Sequence, residues 1–207
     1  MSARVVCISR TLGSGAEEIG SKVAEQLGFR YVDDEIVDRA ARMVQVDPGV
    51  VAKAEHRQPL VDRILEWLSR PSGPALRSSL SAGHAPALVT EDYRAIIRGV
   101  VYETAKKGDV VIMAHAASMA VAELRGVLRI LVTASETARA KRIAAARQLG
   151  DADALGALRE SDAERAEYFR RFYQIDEERP THYDLMINTD VLTPGQASSA
   201  IIAAARA

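Results

Sequence analysis

Apolar residues recur in five short runs along the chain, and segments with helical periodicity separate them. The runs are Val5–Ile8, Phe29–Val32, Asp109–Met113, Val127–Val132 and Tyr183–Ile187. Short, nearly continuous apolar runs are typical of strands that are buried on both faces. Strands that alternate with helices predict an α/β fold, in which a parallel sheet lies between two helical layers. We therefore expect a three-layer, doubly wound sheet of five parallel strands.

Capping residues mark where several helices begin and end. Ile19 and Val23 share one face of a helix that starts at Ala16, and Gly28 is a suitable C-cap for it. A long, densely charged helix is predicted over residues 151–173. The N-caps predicted for three further helices are Thr90, Ser135 and Thr193.

The sequence between the second and third strands has a different character. Helices are predicted from Asp33 or Asp34 to about residue 42, from Asp47 onward and over Leu60–Leu68. Residues 71–86 are rich in Pro, Ser, Gly and Ala, which is typical of a loose connector. A mobile flap over a ligand is the functional alternative for this segment.

The first strand leads into a glycine turn and then into a helix. Residues 10–17 read RTLGSGAE, and this layout directs backbone N–H groups and the positive end of a helix toward a phosphate. A P-loop reads GxxxxGK[ST], whereas Gly15 is followed here by Ala16 and Glu17, so the cation of the motif is missing. The alternative interpretation is an ordinary turn between a strand and a helix.

Four segments are expected at one edge of the sheet, because ligands of open α/β sheets bind beyond the carboxyl ends of the strands. These segments are residues 10–15, 33–34, 114–118 and 188–190. His115 is the histidine that lies beside a predicted strand end. Its position leaves a structural and a catalytic role equally open.

Arginines are frequent in the last third of the chain. The series is Arg139, Arg142, Arg147, Arg159, Arg165, Arg170 and Arg171. Arg139 and Arg142 are three residues apart and therefore share one side of a helix. A mobile helical segment with several guanidinium groups can close over a polyphosphate, since guanidinium binds phosphate oxygens in a bidentate manner. The alternative is a solvated face with helix ion pairs, such as Asp162 with Arg165 and Glu167 with Arg170 or Arg171.

Composition narrows the class of protein. The chain has 207 residues, 27 basic and 28 acidic, so no overall charge favours nucleic acid or a membrane surface as partner. The single cysteine excludes an internal disulfide and a cysteine zinc cluster. No apolar stretch approaches the roughly 20 residues that cross a bilayer, and no signal-peptide pattern opens the sequence. We expect a cytoplasmic protein, and the small apolar face of the last helix leaves a homo-oligomer possible.

The stretch ISRTLGSGAEEIGSKVAEQLGFRYVDDEIV resembles the opening of cytidylate-kinase-like proteins, a branch of the nucleoside monophosphate kinases within the P-loop fold. The similarity continues in DVVIMAHAAS, VTASETARAKRI, DAERAEYFRRFY and HYDLMINTDVLTPGQA. Together these patches cover most of the chain apart from about residues 45–88. The resemblance implies one domain over residues 1–207, in which residues 45–88 form a helical acceptor-binding insert and residues 139–175 an arginine-bearing helical lid.

The resemblance also implies roles for particular residues. Those assigned to the nucleotide phosphates are Arg10, Gly13, Ser14, Gly15, Ala16 and Glu17. The cationic residues implied in catalysis are Arg10, Arg139, Arg142 and Arg165. Asp33 and His115 would face the acceptor. ATP and Mg²⁺ are the implied cofactors, with Ser14 as a partial ligand of the metal, and a small-molecule nucleotide is the implied partner.

Two departures from the family pattern divide the functional hypotheses. Ala16 stands where true cytidylate kinases have lysine, and His115 stands where many relatives have arginine. Losing two cations from a phosphoryl-transfer site costs several kcal/mol unless other cations replace them. One hypothesis is an ATP-dependent phosphotransferase that acts on a nucleoside monophosphate or another small acceptor. The other is a catalytically inactive pseudo-kinase that serves as a nucleotide or phosphate sensor or scaffold.

Overall fold

Five strands form one sheet, and each coincides with one of the apolar runs. The computed structural model describes residues 2–33, 90–113 and 116–207. The strands in these ranges are β1 (Val5–Arg10), β2 (Arg30–Val32), β3 (Val110–Met113), β4 (Val127–Thr133) and β5 (Leu185–Asn188). Val6, Cys7 and Ile8 in β1 are fully buried. An apolar run of this kind has no solvent-facing side, as expected for a strand covered on both faces.

The strand order brings all carboxyl ends to one edge. The order is β2-β3-β1-β4-β5, and every neighbouring pair is parallel. β1 is central, with Val5 opposite Val110 on one side and Val127 on the other. The glycine turn that follows β1 therefore sits in the middle of the edge where ligands bind in such sheets.

Six helices accompany the strands in the described ranges. They are α1 (Ala16–Leu27), α2 (Thr90–Lys106), α3 (Ala117–Ala120), α4 (Glu136–Arg147), α5 (Asp151–Tyr173) and α6 (Pro194–Arg206), with a 3₁₀ turn at Pro180–His182. The Ser135 hydroxyl caps α4 by accepting the Ala138 N–H at 3.2 Å. Thr193 and Gln196 form a capping box at the start of α6.

Alternate side chains of the strands feed two separate apolar layers. Cys7 and Ile112 pack into a layer with Val100 and Val101 of α2. Residues of the opposite parity enter the second layer, which α1 and α6 complete; its fully buried members include Val6, Ile8, Ile19, Val111, Met113, Ile130 and Ile201. Burying a side chain of this size contributes about 1.5–3 kcal/mol, so both helical layers are needed to cover the sheet.

The helix α6 packs against α1 and is also hydrogen-bonded to the residues that precede β1. The Ser198 hydroxyl donates to the Ile19 carbonyl at 3.4 Å, and the Ala3 N–H donates to the Ala205 carbonyl at 2.7 Å. The helices α4 and α5 form a separate, smaller apolar cluster that contains Ile143, Ala154 and Leu158. Leu12 of the glycine turn packs against that cluster, which joins the turn to both helices.

The predicted architecture is confirmed: a five-stranded parallel sheet lies between helical layers. Strand bounds differ slightly, because β1 continues to Arg10 and Phe29 lies outside β2. The Phe29 N–H donates to the Ala24 carbonyl at 2.9 Å and so belongs to the C-terminal cap of α1. The helices predicted up to residue 42, from residue 47 and over residues 60–68 lie outside the described residues, as do the connector and the insert 45–88.

No helix in the described ranges is both long enough and apolar enough to span a bilayer.

Candidate functional site

The turn between β1 and α1 is shaped by two glycines in the left-handed region. Gly13 has φ 76° and Gly15 has φ 77°, a conformation that costs other L-residues about 1 kcal/mol or more. Gly15 is the N-cap of α1 and provides no side-chain cap. In the described part of the chain, the N–H groups of Gly15 and Ala16 have no hydrogen-bond acceptor. Free donors at a helix N-terminus favour an anion.

Gly13 and Gly15 serve different purposes. A Cβ at position 13 would lie 2.8 Å from the Arg139 carbonyl oxygen and 3.1 Å from the Ile143 side chain, so the turn is packed directly on α4. Among the described residues, a Cβ at position 15 would meet nothing within 4 Å. Gly13 is therefore required for a close approach, whereas Gly15 is required only for its backbone conformation.

Ala16 and Ser14 lie in the turn with their side chains buried. Ala16, at the position of the P-loop lysine, is fully buried in the apolar layer that contains Ile19 and Val23. Only its backbone is therefore available to a ligand. Ser14 is also buried, and its hydroxyl has no hydrogen-bond partner in the described part of the chain. A buried hydroxyl without a partner is costly, which is consistent with a ligand that completes the site.

Arg10 lies at the end of β1 between two carboxylates. Its Nε is 3.2 Å from Glu17 Oε1, and its Nη1 is 3.1 Å from Asp33 Oδ2. Burial opposes the charge of Arg10, but Asp33 and Glu17 outweigh it and raise the pKa of Arg10. Burial, followed by the charge of Asp33, raises the pKa of the neighbouring Tyr31 to about 12. The structure thus brings Arg10, Glu17 and Asp33 together at the predicted edge.

Arg139 is buried and fully engaged within the protein. Two of its nitrogens bind the two carboxylate oxygens of Asp162 at 2.9 and 2.6 Å, in a bidentate pair between α4 and α5. It also donates to the carbonyls of Ala134 and Leu12, at 3.2 and 3.3 Å. Its charge is neutralised, and its contact with Leu12 supports the glycine turn.

Arg165 forms a second buried pair of the same kind. Its Nε and Nη2 bind Glu178 at 2.9 and 2.6 Å, and its Nη1 donates to the Arg10 carbonyl at 2.9 Å. The Tyr183 hydroxyl donates to the same Glu178 carboxylate. Burial, followed by the charge of Glu178, raises the pKa of Tyr183 far above its ordinary value. The neutral phenol therefore serves as a fixed donor in this network.

Arg142 is held differently, because its partners within the described part of the chain are all neutral oxygens. Its Nη1 lies 3.2 Å from the Gly13 carbonyl and 3.0 Å from Thr189 Oγ1, and its Nη2 donates to the Thr189 carbonyl. Thr189 Oγ1 in turn donates to the Ser14 carbonyl at 2.8 Å. Arg142 and Thr189 together fix the back of the glycine turn.

The structure thus assembles most of the predicted site around one turn. Arg10, Asp33 and Thr189 meet at this edge as the rule on strand ends predicts. The helical arginines Arg139, Arg142 and Arg165, which that rule did not select, contact the same turn or the end of β1. His115 lies outside the described residues. Sequence reasoning missed Glu178 and gave Asp162 the wrong partner. Asp162 was expected to pair with Arg165, whereas it binds Arg139, and Arg165 binds Glu178. Their place in a dense series of alternating charges contained no signal for which pairs would form.

Comparison with known proteins agrees with this arrangement. The model of the cytidylate kinase-like family matches residues 5–191. No curated protein matches the chain at a significant level. An uncharacterised protein from Eubacterium ventriosum ATCC 27560 is similar in structure, with a TM-score of 0.65 at 14% identity over 97% of each chain. A gluconokinase from Sinorhizobium meliloti 1021 has a TM-score of 0.51 at 12% identity, over 97% of this chain and 90% of the other.

A shikimate kinase from Acinetobacter baumannii, solved in complex with shikimate, has a TM-score of 0.50 at 11% identity, over 96% of this chain and 90% of the other. At such identities the likeness shows the fold alone, and that fold is the one of P-loop kinases. The family match covers far more than half of the sequence, including the glycine turn, α4 and α5. The chain belongs to the cytidylate kinase-like family.

Proposed function

We propose that the protein binds ATP at the glycine turn and transfers its terminal phosphoryl group to a small acceptor such as a nucleoside monophosphate. The observation that carries this proposal is the turn itself. Gly13 and Gly15 bend the chain so that N–H groups at the start of α1 lie free at the carboxyl edge of a P-loop kinase sheet. Backbone donors and a helix dipole in this position stabilise phosphate oxygens.

The reaction places modest demands on the protein. The acceptor oxygen bonds to the γ-phosphorus while the bond from that phosphorus to the β–γ bridging oxygen breaks, and ADP leaves. Catalysis then consists of positioning and of stabilising the phosphate charge. The free N–H groups of Gly15 and Ala16 would hold the donor phosphates, with Arg10 beside them. Asp33, whose Oδ2 lies 3.1 Å from Arg10 Nη1, would lie on the acceptor side of the site.

Mg²⁺ is the metal that kinases use with ATP, and the oxygen donors at the turn fit it. Such ions are held mainly by phosphates and water, with one or two protein oxygens. Ser14 supplies a buried hydroxyl without a partner in the described part of the chain, and Glu17 supplies a carboxylate in the first turn of α1. When bound, the ion would neutralise charge on the β- and γ-phosphates.

Further features of the proposal concern the rest of the chain. Residues 45–88 are the proposed acceptor-binding insert, with His115 beside the acceptor, and residues 139–175 are the proposed lid. The proposed partner is a small-molecule nucleotide, and neither nucleic acid nor a membrane has a role. The nearly equal numbers of basic and acidic residues support this choice. We place the protein in the cytoplasm.

One observation favours a second candidate, an inactive nucleotide or phosphate sensor. Asp162 and Glu178 neutralise Arg139 and Arg165 in bidentate pairs. Two of the four cations implied in catalysis are therefore withheld from a transferring phosphoryl group in this conformation. A sensor needs only the turn that binds the phosphates, whereas a kinase must release at least one of these pairs during its cycle.

The two candidates are separated by measuring ADP formation beside ATP binding. The protein is incubated with ATP, Mg²⁺ and a panel of nucleoside monophosphates, and binding is followed by calorimetry. A kinase forms ADP with one acceptor of the panel. Binding without turnover across the whole panel would contradict the kinase and support the sensor. Absence of ATP binding would contradict both.

A matched pair of variants ties the binding to the turn. Gly15→Ala strains the φ 77° backbone at the start of α1, and we expect it to weaken ATP binding. Gly99→Ala makes the same change in α2, where an added Cβ meets none of the described residues within 4 Å. It should leave ATP binding unchanged. Equal affinities of the two variants would place the ATP site elsewhere.

A further inference from the structure

We propose that Arg142 is a positioning residue that holds the glycine turn from behind and supplies the positive charge that the absent P-loop lysine would have given. This inference rests on the proposed binding of a polyphosphate at the turn. It gives Arg142 a role distinct from that of a lid arginine, because its guanidinium acts through the turn and not by direct contact with the ligand.

The contacts of Arg142 fix the orientation of the turn. Thr189 Oγ1 donates to the Ser14 carbonyl at 2.8 Å, and Arg142 Nη1 donates to the Gly13 carbonyl at 3.2 Å. In a trans peptide the N–H points away from the C=O of the same unit. The Ser14 carbonyl faces Thr189 and Arg142, so the Gly15 N–H points to the opposite side of the turn. Arg142 thereby directs a free donor toward the ligand side.

The charge of Arg142 distinguishes it from the other three arginines. Arg10 is paired with Asp33 and Glu17, Arg139 with Asp162, and Arg165 with Glu178. Arg142 has no carboxylate within ion-pair distance among the described residues, and its partners are the neutral oxygens of Gly13, Ser14 and Thr189.

The charge of Arg142 acts on one nearby carboxylate, Asp190. The Ser135 N–H holds it at 2.7 Å and chiefly lowers its pKa, with a smaller contribution from Arg142. Asp190 is exposed to solvent, which weakens its effect on the guanidinium. Asp190 therefore neutralises little of the Arg142 charge, which acts mainly on the adjacent glycine turn.

The position of Ala16 explains why a cation behind the turn is needed. The Ala16 side chain is fully buried in the apolar layer, so a lysine there would have to leave that layer to reach a phosphate. A guanidinium on α4 supplies charge to the same turn without passing through the core. Attraction between unit charges over several ångströms is substantial where water is excluded.

The test compares two ligands that differ in charge. Dissociation constants for inorganic triphosphate and for orthophosphate are measured by calorimetry at fixed ionic strength. We expect Arg142→Gln to weaken triphosphate binding by roughly tenfold or more and orthophosphate binding by less, because the charge effect grows with ligand charge. Arg142→Lys should restore part of the triphosphate affinity. Arg4→Gln is the matched control, since it removes an exposed arginine that is paired with Asp109 just before β1, at the other end of that strand from the turn; it should change neither constant.

A second measurement tests the holding role without any ligand. Amide hydrogen exchange of residues 13–16 should be faster in Arg142→Gln than in the wild type, and unchanged in Arg4→Gln. Equal exchange in all three proteins would overturn the holding role. Equal losses of affinity for both phosphates, without rescue by Arg142→Lys, would overturn the electrostatic role. A wild type that binds no triphosphate would overturn the proposed function and the electrostatic role together, while the exchange measurement still decides the holding role.

Discussion

The side chain of Ala16 faces the apolar core and not the carboxyl edge of the sheet, where the ligand is proposed to bind. It is fully buried among Ile19, Val23 and other residues that join α1 to the sheet. The difference from a P-loop is therefore more than a missing amine, because the side chain at position 16 is itself part of the apolar layer. The polar chemistry of the turn falls instead to its backbone, to Ser14 and to the arginines around it.

Replacing Ala16 tests this orientation. Ala16→Met should lower the free energy of unfolding by about 1–3 kcal/mol through overpacking. Ala16→Lys should lower it by about 2 kcal/mol more at pH 7, because an ammonium must be buried or the helix displaced. A buried lysine has a lowered pKa, so the unfolded chain binds its proton more readily and the gap narrows toward pH 10. Urea unfolding at both pH values measures it.

The opposite result would have a clear meaning. If Ala16→Lys were as stable as Ala16→Met at pH 7 and bound ATP more tightly than the wild type, the side chain at position 16 would reach the ligand edge.

Gly13 and Gly15 provide a second residue-level prediction. Both have positive φ, so Gly→Ala should cost each about 1–2 kcal/mol in backbone strain. At position 13 the added Cβ also lies 2.8 Å from the Arg139 carbonyl oxygen, and α4 must move to make room. We therefore expect Gly13→Ala to have a lower Tm than Gly15→Ala in thermal unfolding. Equal Tm values would show that the turn is not packed on α4.

Sequence reasoning reached the right residues for the turn but not their environment. The spacing of Gly13 and Gly15 after an apolar run was enough to predict a turn before a helix, and the strand-end rule placed Asp33 beside Arg10. The burial of Ala16 and the neutral partners of Arg142 depend on how α4 and α6 pack. The local order of apolar, polar and glycine residues does not determine how these distant helices pack.

At the scale of elements, α4 and α5 are joined to each other and to the turn by two buried arginines with partly buried carboxylate partners. Arg139 connects α4 to Asp162 of α5, and Arg165 connects α5 to Glu178 and to the Arg10 carbonyl. Breaking a buried pair leaves an uncompensated charge, which costs more than the pair contributes. These contacts hold the segment proposed as a lid against the turn.

Removing one member of a pair measures this coupling. Arg165→Met should lower the free energy of unfolding by about 3–5 kcal/mol, since Glu178 is left without its partner. Adding Glu178→Gln should recover part of the loss, because the amide oxygen still accepts from Tyr183. Arg170→Met is the control on the same helix; its exposed pair with Glu167 is worth about 0.2–1 kcal/mol. Additive losses in urea unfolding would rule out the coupling.

A pH dependence follows from the link between β4 and β5. The Arg129 side chain and backbone N–H bind Asp184, and these hydrogen bonds lower the pKa of the carboxyl below its ordinary 3.8. The carboxylate thus stabilises the fold above that value, and the stabilisation is lost as pH falls through the lowered pKa. Asp184→Asn should cost about 1 kcal/mol at pH 7 after solvent screening.

The difference between Asp184→Asn and the wild type should shrink as the pH falls below the ordinary 3.8 of the carboxyl, and denaturant unfolding from pH 7 down to about pH 2 records the change. Asp176→Asn removes the same charge from an exposed position and serves as the control. A difference that persisted unchanged at low pH would assign the effect to packing and not to the carboxylate charge.

The elements themselves were the most predictable part of the chain. Apolar runs located all five strands within one or two residues, and Ser135 and Thr193 proved to be the caps that they were predicted to be. The pairing of α4 with α5 was not predictable, since the residues between them are charged and alternate in sign. Only their tertiary arrangement selects Asp162 for Arg139.

At the scale of the whole molecule, the glycine turn follows the central strand and contacts both α4 and Thr189 at the end of β5, so ligand binding there should stabilise the fold. At ATP concentrations about 100 times the dissociation constant, binding adds about 2.7 kcal/mol. For a domain of this size that corresponds to a rise in Tm of roughly 5–10 °C. Thermal unfolding with and without Mg²⁺–ATP measures the rise.

Gly13→Ala should lose this stabilisation and Gly99→Ala should retain it. An unchanged Tm of the wild type at millimolar ATP would speak against ATP as the ligand.

The support that α6 gives to α1 has a consequence for the order of folding. Ser198 contacts the Ile19 carbonyl across 179 positions of sequence, and Ile201 completes the apolar layer beneath α1. A ribosome releases the glycine turn long before residues 194–206, and contacts so distant in sequence form late because loop closure opposes them. The nascent chain therefore carries the turn before α6 packs against α1. We expect the proposed capacity of the turn to bind phosphate to arise only when the segment that contains α6 has emerged.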